Sequence, residues 1–253
     1  MTLHVLLLAV VQGLTEFLPV SSSAHLILAS WLLDWKDQGL VIDVAIHSGT
    51  LFAVLVYFRR DWLAMLEGAQ RERLIQLLIA SLPVIATGAL LHELIGSHLR
   101  NARVIAIATL VFGLLLWLAD AIASRRSGLG EMTRKRALLI GLAQVLALIP
   151  GASRSGVTIT MARYLGFSAG ASARFSFLLA VPVLAGAGLW GFAQMWQNQV
   201  PTEWGTFGLA MAASAVTGWA CIGAFLWLLE RVGLRPFIFY RLLLGAILLL
   251  IVI

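Results

Sequence analysis

Hydrophobic positions in this chain run on without a break, where an amphipathic helix or a half-buried strand would interrupt them regularly. Six stretches, about 41–58, 74–95, 103–123, 170–193, 206–229 and 236–253, each hold roughly 20 mostly apolar residues, the length that a membrane-crossing helix needs. Two further apolar regions, 3–33 and 135–167, are broken near the middle by a Pro and a Ser-rich turn. The first break reads Gln12-Gly-Leu-Thr-Glu16-Phe-Leu-Pro19-Val-Ser21-Ser22-Ser23-Ala-His25, and the second Gln144-Val-Leu-Ala-Leu-Ile-Pro150-Gly151-Ala-Ser153-Arg154-Ser155-Gly156-Val-Thr158. Each region predicts two half-length helices that enter the bilayer and return, a re-entrant hairpin. A kinked full span is the other arrangement.

Composition fixes the class. Of 253 residues 60% are hydrophobic and 12% charged, with mean hydropathy +0.94. Soluble domains carry about 25% charged residues, so this chain cannot cover itself in water. The single Cys221 excludes a disulfide framework. The first 18 residues lack a basic n-region and an A-x-A-like site, so they are not expected to be a cleaved signal peptide. Net charge is +6, but no basic stripe with interleaved aromatics is present, which argues against nucleic acid as a partner.

Charge placement predicts the topology. Eleven cations (Arg59, Arg60, Arg71, Arg73, Arg125, Arg126, Arg134, Lys135, Arg136, Arg231 and Arg235) fall in one set of connections, and three (Lys36, Arg100 and Arg103) in the alternate set. The richer set belongs in the cytoplasm. Six spans with two hairpins satisfy this alternation, whereas making either hairpin a full crossing reverses the later loops. The first hairpin then enters from outside and the second from the cytoplasm, each followed by three spans. The expected fold is an all-α integral membrane domain of six transmembrane helices and two re-entrant hairpins, built from inverted halves 1–124 and 134–253. In such inverted-topology repeats broken helices meet near the midplane and form the site.

The two breaks carry the candidate chemistry. Gln12 and Glu16 are four apart and share a helix face, and a carboxylate at bilayer depth is a functional candidate by default. Pro19 ends the first half-helix. Ser21, Ser22 or Ser23 can cap the second, whose free amides suit a phosphate. Arg154, flanked by Ser153 and Ser155 past a Pro-Gly turn, offers a planar fork of donors. Together these groups suit a phosphorylated lipid. Arg154 could instead pair with a buried carboxylate such as Glu16, which would itself bring the two stretches together. Gly151 and Gly156 permit close backbone approach.

These motifs, Gln12-x-x-x-Glu16 with Pro19-Val-Ser-Ser-Ser-x-His25 and Pro150-Gly-x-Ser-Arg154-Ser-Gly-x-Thr158, resemble those of bacterial undecaprenyl-diphosphate phosphatases, the bacitracin-resistance family. Phe175-Ser-Phe-Leu-Leu-Ala-Val-Pro182 and Pro236-Phe-x-x-Tyr240-Arg241 extend the resemblance over nearly the whole chain. The resemblance implies a multi-pass inner-membrane enzyme, with its site open to the extracytoplasmic side. It would release the terminal phosphate of undecaprenyl diphosphate and so recycle the lipid carrier for peptidoglycan. Bacitracin would compete indirectly by sequestering the substrate. By the resemblance Glu16 is the family carboxylate, Ser22 and His25 are nucleophile and base, and Arg154 binds the diphosphate. Gln12, Ser21, Ser23, Gly151, Ser153, Ser155 and Thr158 complete the expected substrate contacts. Family members often carry Glu at the position of Arg174, which removes an acidic group here.

A divalent cation, Mg²⁺ or Ca²⁺, held partly by Glu16, is expected to neutralise the phosphoryl oxygens. An attacking water, with Glu16 or His25 as base, competes with the serine scheme. A lipid-phosphate or anion transporter would use the same architecture, and membrane lipids are partners either way. Self-association into a homo-oligomer is compatible with the sequence and specified by nothing in it. Asp43 and His47, four apart, could extend the site; Tyr240 and Arg241 could join it, or Arg241 could snorkel to headgroups. His4, His92 and His98 are expected at the interface, Asp120 in a structural role, and Trp31, Trp35, Trp62, Trp196 and Trp204 as interfacial anchors.

Overall fold

The computed structural model describes residues 2–22, 24–26, 39–94, 99, 101–123 and 127–252. They form α1 (Thr2–Thr15), α2 (Gly39–Tyr57), α3 (Arg59–Leu66), α4 (Arg71–Leu94), α5 (Ala102–Ile122), α6 (Arg134–Gln144), α7 (Arg154–Tyr164), α8 (Ala169–Gln197), α9 (Trp204–Val232) and α10 (Arg235–Val252). Short 3-10 turns occupy Leu129–Glu131 and Val145–Leu148. Among the described residues the β pairing found is one parallel bridge between Ser127 and Phe167. Six helices, α2, α4, α5, α8, α9 and α10, are long and apolar enough to cross a membrane, within a few residues of the expected stretches. The chain is a multi-pass membrane protein. Leu90, Leu189 and Leu250 point outward, 81%, 73% and 80% exposed, as lipid-facing side chains do.

Where they are described, the two broken regions fold as the prolines dictate; the rest of the first, Ser23 and 27–33, lies outside the described residues. At about 1.5 Å per residue, the 14 residues of α1 and the 11 each of α6 and α7 are all shorter than a ~30 Å hydrocarbon core. Ser21 (φ 71°) and Ser153 (φ 66°) both adopt the left-handed region, an uncommon conformation for a residue with a Cβ. Each then caps the next helical turn: Ser21 Oγ accepts from the Ala24 amide at 3.4 Å and Ser153 Oγ from the Gly156 amide at 3.2 Å. The two ends of the second broken region meet. Ser127 donates its amide to the Gly166 carbonyl at 3.2 Å, and Ser168 donates back to Ser127 at 3.0 Å.

Small residues let the helices approach closely. α1 lies on α9 at Gly13, where an added Cβ would stand 1.9 Å from Thr217 Oγ1. α2 lies on α9 at Gly49, and α6 lies on α4 at Gly141, where a Cβ would fall 2.4 Å from the Ala80 carbonyl oxygen. α2 also packs on α8, α8 on α4, α7 on α5, and α5 on α10. At the centre, Phe17, Phe58, Phe177 and Phe225 form a chain of ring contacts within the largest apolar cluster. The amphipathic α3, which the apolar pattern does not predict, buries Met65 while Arg59, Arg60, Leu63 and Leu66 stay exposed. Trp196 and Trp204 are exposed at 87% and 66%, as interfacial anchors should be. Trp62 instead packs on the core cluster. Asp120 pairs with Arg163 at 2.8 Å, the structural role expected of it.

Candidate active site

The turn after α1 and the start of α7 bring the two broken stretches into contact. Glu16 is 9% exposed and its carboxylate gathers three donors. Gln12 Nε2 donates to Oε2 at 2.9 Å, one helical turn away as the i, i+4 spacing requires. Ser22 Oγ donates to the same oxygen at 3.3 Å. Arg154 Nη2 reaches Oε1 at 3.0 Å across 138 residues of sequence. The pairing of Arg154 with Glu16 that the sequence left open is therefore present, and it joins the two broken stretches. Arg154 Nη1 donates to the Ser176 carbonyl at 3.0 Å, so α8 fixes the guanidinium from a third side.

The remaining predicted residues of the second stretch hold this arrangement together. Ser155 Oγ donates to the Leu18 carbonyl at 2.8 Å, a second tie between the turns. Ser153 and Ser155 hydroxyls stand 3.1 Å apart, and Thr158 Oγ1 meets Ser176 Oγ at 2.7 Å. Gly151 (φ 95°) packs so closely that a Cβ would lie 2.5 Å from the Ile105 carbonyl oxygen. At Gly156 a Cβ would lie 2.3 Å from Arg241 Nη1. Both close approaches expected of these glycines occur. Ser23 lies outside the described residues, as do Trp31, Trp35, His98 and the side chain of His92.

His25 faces elsewhere. Its Nδ1 donates to the Ser21 carbonyl at 2.7 Å, so Nε2 carries the lone pair and accepts the Tyr240 hydroxyl at 2.6 Å. The two rings stack at 5.6 Å. Ser22 is thus brought to Glu16 and not to His25. Asp43 and His47 make a local contact, His47 Nδ1 donating to the Asp43 carbonyl at 2.8 Å.

Arg241 does not snorkel. It is fully buried, with Nε donating to the Thr109 carbonyl at 3.1 Å, Nη1 to Pro19 at 3.3 Å and Nη2 to Gly151 at 3.0 Å, with Ala152 as a further acceptor. One guanidinium thus holds both turns against α5 through carbonyl oxygens. The sequence signal for it was a lone cation in an apolar run, and for Ser176 a lone hydroxyl between Phe175 and Phe177.

Oxygen donors at the centre suit a hard cation. Among the described residues no group of three or more His, Cys, Asp or Glu forms a metal cluster. Gln12 Oε1, however, is buried without a hydrogen-bond partner beside the Glu16 carboxylate. A carboxylate plus an amide oxygen, completed by phosphate oxygens, is a ligand set that Mg²⁺ accepts.

Known proteins resemble this chain in sequence. A chain named undecaprenyl-diphosphatase from Alcanivorax borkumensis is 51% identical over 255 residues, covering 96% of each chain. One of the same name from Chromohalobacter salexigens is 50% identical over 258 residues, covering 98% of this chain and 97% of its own. Residues 5–247 match the family model described as bacitracin resistance protein BacA. With its two broken stretches joined through Glu16 and Arg154, this chain belongs to the BacA bacitracin resistance family.

Proposed function

We propose that this protein is an undecaprenyl-diphosphate phosphatase, releasing inorganic phosphate and returning undecaprenyl phosphate to the carrier pool for peptidoglycan synthesis. Bacitracin resistance would follow from reduced exposure of the diphosphate that the antibiotic sequesters. The names of the relatives support the substrate. The observation that carries the reaction is the convergence of Ser22 and Arg154 on the Glu16 carboxylate.

Phosphoryl transfer asks for positioning and charge neutralisation more than for elaborate chemistry. Arg154 and the first amides of α7 hold the diphosphate, the guanidinium turning from Glu16 toward the incoming anion. Ser22 Oγ attacks the terminal phosphorus and its proton passes to Glu16 Oε2, the acceptor it already faces at 3.3 Å. The bond from phosphorus to the bridging oxygen breaks, and undecaprenyl phosphate leaves. Glu16 passes its proton to the departing undecaprenyl phosphate; it then takes a proton from the water that attacks the phosphoserine and returns it to Ser22 Oγ as the bond from Oγ to phosphorus breaks. His25 and Tyr240 position the segment that carries Ser22. A divalent cation, when bound, neutralises charge on the phosphate oxygens; Glu16 and Gln12 are the residues that would hold it.

The same reading places 3–33 and 135–167 in re-entrant hairpins of inverted halves. The backbone pairing of Ser127 with Gly166 and Ser168 supports return of the second hairpin to its side of entry. Reciprocal packing supports the inversion: α1 lies on α9 as α6 lies on α4, and α2 lies on α9 as α8 lies on α4. Matched left-handed serines at the two turns agree. We assign the chain to the bacterial inner membrane, with the site open to the extracytoplasmic side.

Purified protein in detergent tests the reading with undecaprenyl or farnesyl diphosphate. Phosphate release should require a divalent cation and stop with chelator. Arg154→Ala should lower kcat by about 10²–10³, as for loss of one preorganised donor at a developing anion. Labelled substrate should leave a phosphoserine at Ser22; release without a trappable phosphoenzyme would move the attack to water. No release with any ion would make the chain a transporter of the lipid phosphate.

A further inference from the structure

A cavity of about 780 Å³ opens at the cation-rich end of the bundle, its polar lining made by Arg59, Arg60, Asp61, Gln70, Arg174 and Glu230. This is the size range of sites for small ligands. The cavity is separate from the catalytic centre. Phe58, in its wall, meets Phe177 at 6.4 Å, and Phe177 meets Phe17, next in sequence to Glu16, at 5.4 Å. An aromatic partition therefore stands between cavity and centre.

Three guanidiniums line the space against two carboxylates. Arg174 sits over the Phe58 ring at 5.8 Å and donates Nη2 to both oxygens of Asp61, at 3.1 and 3.2 Å. Its Nε and Nη1 have no protein partner among the described residues. Arg59 and Arg60 have no ion-pair partner there either, and Glu230 is the remaining acid in the lining. Arg73 adds a fourth cation at the rim, donating to the Leu129 carbonyl at 3.4 Å. Gln70 contributes a buried carbonyl oxygen that lacks a partner. Planar forks of N–H donors match phosphate oxygens bidentately, and the unpaired amide oxygen can accept from a protonated phosphate oxygen or a hydroxyl beside it. Tyr57, Phe58, Leu129 and Leu226 give the apolar wall that an amphiphile would need.

We propose that this cavity is a second anion site, which takes a phosphate-bearing ligand through Arg59, Arg60 and Arg174 on the far side of the Phe17–Phe177–Phe58 partition from the catalytic centre. The ligand is either a lipid phosphate headgroup or free phosphate. Arg174 is what sets this chain apart, since the family pattern often carries a carboxylate at that position, and a carboxylate would reverse the local sign.

The test reads binding and not turnover, so it does not depend on the proposed reaction. Arg154→Gln protein, in which the catalytic guanidinium is removed, is titrated in neutral detergent with inorganic phosphate, short-chain phosphatidylglycerol, or phosphatidylcholine as control. Thermal stability and native mass spectrometry report binding. Saturable binding that weakens about tenfold or more in Arg59→Gln/Arg60→Gln and in Arg174→Gln is expected, as for loss of charge-assisted hydrogen bonds. Saturation by inorganic phosphate identifies free phosphate as a ligand; saturation by phosphatidylglycerol alone identifies a headgroup. Binding by neither, or binding unchanged in both cavity variants, overturns the proposal. Arg59 and Arg60 are exposed and make no ion pair among the described residues, so their variant stays folded even where Arg174→Gln fails. If Arg154→Gln does not fold, the same titrations on the otherwise unaltered chain should lose one of two binding events in the cavity variants.

Discussion

At Glu16 three donors meet two carboxylate oxygens, and each would lose something different if the charge were removed. In Glu16→Gln the amide keeps the size but leaves Arg154 without its counter-ion and gives Ser22 a poorer proton acceptor. We expect phosphate release to fall at least about 100-fold, the scale of a lost general base. Tyr240→Phe, which removes only the hydroxyl that His25 Nε2 accepts, should cost about tenfold or less. A Tyr240→Phe loss as large as that of Glu16→Gln would put the base at His25 instead. Glu16 and Arg154 were legible as candidates, and so was their pairing as one arrangement, because charges inside apolar runs are costly and stand out. The partner of His25 was not. The resemblance paired it with Ser22, but the left-handed backbone at Ser21 turns the segment, and His25 meets a hydroxyl 215 residues away. Spacing in sequence carries no information about such a contact.

Helix lengths were read from the chain because a continuous apolar run of about 20 residues has one comfortable fate in a bilayer. The 8-residue α3 escaped notice since it is too short for a span and mixes Arg59, Arg60 and Asp61 with Leu63 and Leu66. Which helices touch was also hidden, because glycines mark close approach without saying to what. Gly141 makes this testable. An Ala there would press its Cβ to 2.4 Å from the Ala80 carbonyl oxygen and 2.7 Å from its Cα, backbone atoms that cannot yield unless α4 shifts. Gly141→Ala should destabilise by about 1–3 kcal/mol, the usual cost of overpacking, and lower the melting temperature in detergent. Gly208→Ala on α9, where a Cβ meets nothing within 4 Å, should hold or gain stability through helix propensity. Equal melting of the two variants would mean that α6 and α4 are not packed as described.

At the scale of the whole molecule, the proposed inversion makes one demand: both ends of the second broken region lie on the same side of the membrane. The backbone pairing of Ser127 with Gly166 and Ser168 is independent of charge and supports the same arrangement, and α6 and α7, at 11 residues each, are individually too short to cross. Single cysteines introduced into a Cys221→Ala background read this directly. Gly130 and Gly170 have open space where a Cβ would go, and Asn198 ends α8 at the opposite end from Gly170. In intact cells an impermeant maleimide should label Asn198→Cys, and should reach Gly130→Cys and Gly170→Cys only after the membrane is opened. Labelling of 130 and 170 from opposite sides would make 135–167 a full crossing. The two halves would then no longer be inverted, and Glu16 and Arg154 would have to approach from the same side.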